Sequence, residues 1–370
     1  MRSPGLDPAP LDPALHDLPL RAYRPRASVR LSRNLVSRAR FPAVDAHNHL
    51  GRWLTPDGGW ASRDVDSLLA DMASSNVDTI VNLDGRWGDE LQANLDRYDR
   101  AHPGRFATFC HLDWMALSEH GWPERIATDL RGSADAGARG VKVWKDLGLG
   151  LQDERGEPLL PDDERLAGVW DTAGELRLPI VIHVADPVAF FDPVDERNER
   201  LEELLVHPEW SFADQRFPRF ERLIDALEAV VAAHPATTFI GAHVGCYAED
   251  LAWVGRMLST YPNFHVDIAA RIAELGRQPR AARRLLMEHP DRVLFGVDLF
   301  PPDPADYAIH FRFLETDDEC FDYATDDVPP EGRWTISGLD LPDDVLCKVY
   351  GENARRLIPG LGDSGQSKPL

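Results

Sequence analysis

Short apolar runs typical of β-strands recur eight times along this chain, and helix-like stretches separate them. Continuous apolar runs are typical of strands buried on both faces, as parallel strands covered by helices are. Eight such strands alternating with helices over about 250 residues predict a (β/α)8 barrel. A doubly wound open sheet is the alternative, but no Gly-x-Gly-x-x-Gly turn follows an early strand to support it. The predicted strands span residues 43–49, 77–83, 105–111, 140–145, 178–183, 237–243, 263–268 and 292–298.

Between these strands, apolar residues recur at the spacing of amphipathic helices. We expect one more helix after the last strand, followed by a helical extension at the C-terminal end. The predicted helices span residues 65–75, 89–101, 167–176, 219–233, 251–259, 279–288 and 305–314.

The first predicted strand ends in His47-Asn48-His49. Side chains at positions i and i+2 of a strand project to the same side, so the two imidazoles can converge on one ion. Neutral imidazole is a common ligand for zinc and similar metals. The alternative is a pair of solvated histidines, because His-x-His also occurs in proteins that bind no metal.

Three other predicted strands end in a polar residue that can bind a metal ion, namely His183, His243 and Asp298. In a parallel α/β barrel the carboxyl ends of all strands lie at one face, where functional groups from distant parts of the sequence meet. We therefore expect these three residues to lie beside the first histidine pair.

Several of these strand ends form motifs that occur together and in order in one known group of proteins. They resemble the amidohydrolase superfamily, and most closely its amidohydrolase-2 branch, which contains aminocarboxymuconate semialdehyde decarboxylase, aromatic-acid decarboxylases, and lactone and amide hydrolases. The resemblance covers residues 41–359. Its motifs are Asp45-Ala46-His47-Asn48-His49, His183, Gly241-Ala242-His243-Val244-Gly245, Leu294-Phe295-Gly296-Val297-Asp298 and the segment 350–357.

The resemblance implies a single divalent metal ion, most often zinc, with manganese as the alternative. Carried over position by position, it implies that His47, His49, His183 and Asp298 are the metal ligands. It also implies that His243 is the catalytic histidine.

Superfamily members with two metal ions bridge them with a carboxylated lysine at the end of the fourth strand. This chain has Lys142 and Lys145 there. The alternative is that both are surface or anion-binding lysines, and we expect a mononuclear site because the remaining motifs resemble the single-metal branch.

Such a site supports two kinds of chemistry. A metal-activated water could attack a C–N or C–O bond beside a carbonyl, with Asp298 as the base and His243 stabilising the oxyanion. The alternative is non-oxidative decarboxylation of a small aromatic or unsaturated acid, in which the same two residues move a proton. We favour the hydrolase, and we keep a barrel without catalytic activity as a third possibility.

Four further residues are candidates for substrate binding. Arg52 and Arg271 follow the first and seventh strands, and arginine binds carboxylates through two parallel hydrogen bonds. His111 and Lys142 stand at the ends of the third and fourth strands. The alternatives are surface or interface positions for the arginines, and packing or a supporting hydrogen bond for His111.

Composition narrows the classes of partner. The 370 residues contain 40 Lys and Arg against 62 Asp and Glu, a formal charge of −22 that argues against nucleic-acid binding. No apolar stretch is long enough to cross a membrane. The four cysteines are scattered, as in reduced proteins, and we expect Cys246 to be structural. We therefore expect a cytoplasmic enzyme that acts on a small molecule and forms a homo-oligomer, most simply a dimer.

The ends of the chain differ from its centre. Residues 1–40 are rich in arginine and proline and lack the apolar region of a secretory signal, which favours a flexible or surface-wrapping arm. The barrel spans residues 41–359, and residues 360–370 form a disordered tail. Within the barrel, residues 301–342 form an excursion that could cap the active face or contact another subunit, and the long loop 186–218 is expected to shape the substrate pocket.

Overall fold

A computed structural model describes residues 11–25, 28–118, 120–153 and 155–361. Nine strands in this part of the chain pair in parallel. The strands are β1 (Ala43–Asn48), β2 (Val77–Asn82), β3 (Phe106–Thr108), β4 (Cys110–His111), β5 (Val141–Val143), β6 (Ile180–Ile182), β7 (Phe239–Gly241), β8 (Phe264–Asp267) and β9 (Val293–Leu294).

These strands form a closed eight-stranded barrel, as expected. β3 and β4 are the two halves of the predicted third strand, separated only by Phe109. The sheet β1-β2-β3 therefore continues into the sheet that runs in order from β4 to β9. The circle closes through two backbone hydrogen bonds, from the Ala46 amide to the Phe295 carbonyl (2.9 Å) and from the Asp298 amide to the His47 carbonyl (2.9 Å).

The helices lie between the strands in the predicted order. Helices α1 and α11 have the predicted bounds. The helix predicted at 89–101 is divided into α2 and a π-helical turn, Asp96–Arg100. The bounds of the other predicted helices differ from the prediction by one residue at one or both ends. The helices are α1 (Val65–Ser75), α2 (Gly88–Leu95), α3 (Trp122–Ala136), α4 (Asp146–Leu149), α5 (Ala167–Glu175), α6 (Leu201–Val206), α7 (Phe220–Ala233), α8 (Ala242–Gly245), α9 (Leu251–Thr260), α10 (Ile272–Arg277), α11 (Pro279–Glu288), α12 (Pro304–Glu315), α13 (Asp343–Cys347) and α14 (Asn353–Leu357).

Two apolar layers hold the barrel together. Alternate strand residues, among them Val81, Val181 and Ile240, fill the barrel interior, where Ala354 and Ile358 of the C-terminal extension join them. The residues between them face outward and pack against the helices. This alternation follows from the two-residue period of a strand, and it leaves the carboxyl ends of the strands free for polar side chains.

The segment after the barrel packs back onto it. Residues 316–342 follow α12 and contain an antiparallel bridge between Phe321 and Ile336. Asp318 accepts hydrogen bonds from Asn34, and Glu315 accepts one from the amide of Arg40, so the chain before β1 is attached to the same region. Most of the predicted C-terminal tail, residues 362–370, and residues 1–10 of the predicted arm lie outside the described residues.

No helix in the described ranges has the length and apolar character needed to cross a membrane. The domain bounds and the homodimer stay predictions.

Candidate metal and catalytic site

The end of β1 contains a bulge that turns its two histidines inward. Asp45 lies opposite Ile80 but Asn48 lies opposite Asn82, so β1 has one residue more than β2 over this stretch. A bulge of this kind redirects the side chains that follow it. The rings of His47 and His49 consequently lie 5.6 Å apart at the carboxyl face of the barrel.

Buried Asp45 fixes this bulged segment. Its carboxylate accepts hydrogen bonds from the Asn48 amide group (2.8 Å), the Tyr307 hydroxyl (3.0 Å) and the backbone amide of Val297 (3.2 Å). Burial raises its pKa to about 6, against the effect of these hydrogen bonds. The carboxylate therefore attaches the first strand to the last one beside the site.

A second buried carboxylate, Asp267 at the end of β8, orients two histidines at once. Its Oδ2 lies 2.8 Å from Nδ1 of His47, and its Oδ1 accepts the backbone amides of His243 (2.9 Å) and Ala269 (3.1 Å). Burial opposes its charge, but His47 and these hydrogen bonds outweigh burial and lower its pKa. An ionised Asp267 can only accept, so it fixes the proton of His47 on Nδ1 and leaves Nε2 free to bind a metal.

His243 is held in an uncommon backbone conformation. It begins four consecutive residues with positive φ, and the third of them is a glycine. Left-handed backbone costs roughly 1–2 kcal/mol for each residue with a Cβ and persists only where the surroundings enforce it. The His243 Nδ1–H donates to the Ala269 carbonyl (2.9 Å), so Nε2 of this ring also carries a free lone pair.

Asp298 completes a cluster of possible metal ligands. The donor atoms of His47, His243 and Asp298 all lie within 4.8 Å of one another. Nε2 of His49 lies 3.3 Å from Asp298 Oδ1, and the other ring nitrogen of His49 is buried without a hydrogen-bond partner among the described residues. Zinc–nitrogen bonds of about 2.0 Å place ligand atoms roughly 3–3.5 Å apart, so these donors would have to move closer together, by about 1 Å or less, to bind one divalent ion.

The protonation states also suit a metal. Burial lowers the pKa of both His49 and His243 well below the ordinary value, so both rings are neutral. Burial raises the pKa of Asp298, while His47 and Lys142 act in the opposite direction. Neutral imidazoles and one carboxylate are the ligand forms that a divalent ion requires.

His183 lies at the edge of this cluster. Its ring centroid is 4.5 Å from that of His243, but its Nε2 lies 3.2 Å from Asp186 Oδ1, and Asp186 in turn forms an ion pair with Lys145. Burial lowers the pKa of His183 to about 3. Its role as a metal ligand stays a prediction.

The interpretation of Lys142 as a surface lysine is wrong. Its side chain is buried in the barrel, with Nζ 3.4 Å from His47 Nε2 and 4.9 Å from the centre of the Trp144 ring. Burial lowers its pKa to about 8, although Asp298 and Asp267 oppose this effect. The strand pleat turns residue 142 inward, and a sequence alone does not show to which side a single lysine points.

The two predicted substrate arginines have different surroundings. Nε and Nη2 of Arg52 both contact the Glu90 carboxylate, and its guanidinium lies over Trp60. Arg271 is buried at the site, where Nη1 donates to the Ala270 carbonyl (2.6 Å). Arg271 thus retains free donors near the catalytic cluster, whereas those of Arg52 are already bound to Glu90. Substrate binding by either residue stays a prediction.

His111 is also buried at this face, where Nε2 lies 2.7 Å from the Leu83 carbonyl. Burial lowers its pKa to about 3. Cys246 is buried below the site, and its sulfur accepts the Val184 amide at 3.4 Å, a contact that suits the predicted structural role.

The sequence analysis missed an aromatic wall next to His49. The Trp144 ring lies 4.9 Å from that of His49, Phe300 lies 5.5 Å from it on another side, and Trp53 packs edge-on against Trp144 at 4.8 Å. The sequence positions of two of these residues could have indicated that they lie at the site. Trp53 follows His49 by four residues, and Trp144 follows Lys142 by two.

Arg86, four residues after the end of β2, was not among the residues predicted from the sequence. Its guanidinium lies over Trp53 (4.7 Å) and Trp87 (4.1 Å), and these side chains with Arg52 and Glu90 line a cavity of about 490 Å³. No carboxylate lies within ion-pair distance of Arg86 among the described residues. Burial lowers its pKa, while Asp84 acts in the opposite direction.

We expect Asp267→Asn to weaken metal binding by about 10–100-fold, a typical cost of losing the partner of a metal-binding histidine. The asparagine oxygen would still accept the two backbone amides, so its NH₂ would face His47 and displace the proton from Nδ1 to Nε2. Competition with a chromophoric chelator would measure the affinity, with Asp66→Asn, an exposed position on α1, as control. Unchanged affinity would show that Asp267 does not set the protonation of His47.

The fold agrees with that of several solved structures. A 2,6-dihydroxybenzoate decarboxylase from Rhizobium aligns with a TM-score of 0.53 and 19% identity over 86% of this chain and 98% of that chain. A dihydroxybenzoic acid decarboxylase from Polaromonas sp. JS666, with bound manganese and the inhibitor 2-nitroresorcinol, aligns with a TM-score of 0.54 and 16% identity over 86% and 96%. An uncharacterized TIM-barrel protein from Bordetella bronchiseptica aligns with a TM-score of 0.51 and 13% identity over 87% and 99%.

Comparison with families of known sequence identifies the chain more directly. No curated protein is significantly similar to it in sequence. The sequence model of the amidohydrolase-2 family, described as amidohydrolase, matches residues 44–360, which include every candidate ligand in the cluster. The chain therefore belongs to the amidohydrolase-2 family of the amidohydrolase superfamily.

Proposed function

We propose that this protein is a metal-dependent decarboxylase of a small aromatic or unsaturated acid. The observation that carries this proposal is the aromatic wall of Trp53, Trp144 and Phe300 beside His49, because flat aromatic side chains accommodate a planar ring. The likeness in fold to two dihydroxybenzoate decarboxylases supports it. This choice reverses our preference from the sequence, which favoured a hydrolase.

One divalent ion would be held by His47, His49 and Asp298, with His183 as a further ligand predicted from the sequence. His243 lies beside these donors and would keep the catalytic role predicted for it. When bound, a zinc or manganese ion would bind oxygen atoms of the substrate and stabilise negative charge that develops on them. The site contains several imidazoles and a carboxylate, a donor set that suits both metals.

Asp298 and His243 are placed to handle the proton that the reaction requires. Decarboxylation breaks the bond between a carbon and its carboxylate, CO₂ leaves, and the electron pair stays on the carbon until a proton replaces the lost group. Asp298 Oδ2 lies 3.8 Å from His243 Nε2. The oxygen of Asp298 that does not bind the metal, or Nε2 of His243, would deliver this proton to the carbon.

Arg86 and Arg271 would bind the anionic groups of the substrate. We expect Arg86→Lys and Arg271→Lys each to raise KM at least about tenfold, because an ammonium cannot form the two parallel hydrogen bonds of a guanidinium. Steady-state kinetics would measure the effect. Arg52→Lys is the matched comparison, because Glu90 already binds the Arg52 guanidinium. A large rise in KM for Arg52→Lys alone would restore the assignment made from the sequence.

Hydrolysis is the second candidate, and one observation favours it. The Asp298 carboxylate lies 3.3–3.9 Å from the nearest nitrogen of each of His47, His49 and His243, so it could accept a proton from a water molecule held there. The reaction would then cleave a C–N or C–O bond next to a carbonyl, with His243 stabilising the oxyanion.

A labelled-solvent experiment separates the two reactions. Aromatic and unsaturated acids, lactones and amides would be screened with the metal-loaded protein for CO₂ release and for pH change. Decarboxylation predicts stoichiometric CO₂ and, in D₂O, deuterium on the carbon that carried the carboxylate. Incorporation of ¹⁸O from water into the product without CO₂ would instead support hydrolysis and reject the proposed function.

A further inference from the structure

Lys145 contacts two distant parts of the long loop 186–218 at the edge of the metal site. The lysine lies two residues after β5, and its Nζ forms an ion pair with the carboxylate of Asp186, the first residue of the loop. The same Nζ lies 6.0 Å from the centre of the Trp210 ring and 5.6 Å from that of Phe212. An aromatic ring attracts a cation at this distance. One ammonium therefore joins the start of the loop to its last third.

Asp186 extends this contact to a predicted metal ligand. It is 6% exposed, and its second oxygen, Oδ1, lies 3.2 Å from Nε2 of His183. A carboxylate that is paired with an ammonium only accepts hydrogen bonds, so His183 donates from Nε2, and Nδ1 is the nitrogen that can bind an ion. Histidines that bind metals commonly donate their other ring N–H to a carboxylate in this way. Asp186 therefore contacts the ligand on one side and Lys145 on the other.

The aromatic residues of the loop pack on one another. The Phe190 and Trp210 rings stack with centroids 6.1 Å apart, and the backbone amide of Phe212 donates to the Phe190 carbonyl at 2.7 Å. The Phe191 ring lies 5.3 Å from that of Phe212. Because Phe190 follows Asp186 by only four residues, the carboxylate and these rings belong to one packed unit.

The turn after β5 also contributes to the aromatic wall. Trp144 directly precedes Lys145, and its ring lies 4.9 Å from that of His49. Loop 186–218 is therefore attached to the turn that carries one side of the proposed substrate pocket.

We propose that Lys145 and Asp186 are positioning residues that couple loop 186–218 to the metal ion. Lys145 holds the loop together and Asp186 joins it to His183, so an ion bound by His183 stabilises the loop, and the loop stabilises the bound ion. Such coupling is reciprocal, so each effect implies the other. The inference rests on one part of the proposed function, the binding of an ion by His183, and adds a loop that responds to that ion.

Limited trypsin digestion of the full protein, with and without zinc, tests the effect of the ion on the loop. Arg216 is exposed in the loop and offers a cleavage site, and exposed Arg30, before β1, offers a reference site in the same digestion. We expect zinc to slow wild-type cleavage at Arg216 at least about fivefold relative to cleavage at Arg30, the lower end of ordinary coupling between sites. Mass spectrometry of the fragments would give both rates.

Lys145→Met keeps the length of the side chain but removes its charge, so it should abolish most of this protection by zinc, whereas Lys145→Arg should retain it. His183→Gln should lose the protection as well. The matched control is Lys348→Met, because Lys348 also pairs with one aspartate, Asp291 (3.0 Å), and its side chain is 33% exposed against 29% for Lys145. Wild-type protection in Lys145→Met or in His183→Gln would overturn the inference.

The reciprocal effect is measured on the ion. Competition with a chromophoric chelator should show that zinc binding is weakened at least about fivefold in Lys145→Met and about 10–100-fold in Asp186→Asn, which loses the direct partner of His183. Asp192→Asn, an exposed aspartate of the same loop, is the control and should bind zinc as wild type does. Unchanged zinc affinity in either Lys145→Met or Asp186→Asn would contradict the coupling, whatever happens to cleavage of the loop.

These measurements separate failure of the inference from failure of the proposed function. Zinc that binds to wild type without protecting Arg216 overturns the inference and leaves the proposed function standing. A wild-type protein that binds no zinc counts against both. If Lys145→Met loses the protection in a protein that releases no CO₂ from any acid tested, the inference is supported and the proposed reaction is rejected.

Discussion

His47→Ala and His49→Ala should each purify with little metal and lose at least about 10³-fold in turnover, which corresponds to about 4 kcal/mol of transition-state stabilisation. Both imidazoles present Nε2 toward Asp298 Oδ1, at distances of 3.9 Å and 3.3 Å. Alanine removes a donor that no neighbouring side chain replaces. The wild-type protein, grown with added zinc or manganese, should contain about one ion per chain by elemental analysis.

The control for this prediction is His207→Ala. His207 is partly exposed and stacks on Trp210, remote from the cluster in its contacts, so its loss should leave metal content and turnover unchanged. Circular dichroism and thermal unfolding would establish that the variants are folded. Wild-type metal content in a His47→Ala/His49→Ala double variant would show that the ion binds elsewhere. If elemental analysis finds no transition metal in the wild-type protein, the proposed metal cofactor is ruled out.

The sequence predicted the barrel because its information was local and periodic. Each strand is an apolar run. Helix α1 lies between its N-cap Asp64 and the left-handed Asn76, and α11 begins with Pro279, so local signals mark these helix ends. The third strand was predicted as one piece, but the structure divides it at Phe109 into β3, which pairs with β2, and β4, which pairs with β5. A break of this kind depends on how neighbouring strands curve, which no local pattern records.

The candidate site was predictable only in part, for a related reason. The strand-end histidines and Asp298 can be recognised in the sequence from their residue types and from their positions at strand ends. The barrel then brings them together. Asp267 was overlooked because its importance comes from hydrogen bonds to His47 and His243, which lie far from it in sequence.

The partners of the candidate substrate-binding arginines were also not predictable from the sequence. Arg52 looked suitable because it follows the metal-binding motif by three residues, but the side chain that occupies it, Glu90, lies 38 residues further on. Arg86 has no distinctive position in the sequence, and only the packing of Trp53 and Trp87 against its guanidinium makes it a candidate for substrate binding. Pairing partners of charged side chains are tertiary contacts, and their sequence positions do not reveal them.

Asp298→Asn should lower kcat by about 10²–10⁴-fold, the usual contribution of a general acid or base, while the protein keeps its fold and most of its metal. Asp298 has a φ of 58°, a left-handed conformation that asparagine adopts as readily as aspartate does. The side-chain amide keeps the shape of the carboxylate and still offers one oxygen to a metal. It cannot hold the transferable proton, so the loss of turnover should exceed the loss of metal.

Steady-state kinetics combined with elemental analysis would separate these two losses, and Asp326→Asn, an exposed position in the excursion, is the control. Under the proposed decarboxylation, the deuterium that Asp298 delivers in D₂O should appear on the product carbon more slowly in the variant, in step with CO₂ release. Because the same residue serves as base in hydrolysis, the prediction holds for either reaction. Turnover within about fivefold of wild type, at full metal content, would assign the proton transfer to His243 or to Lys142, whose Nζ lies 3.4 Å from His47 Nε2.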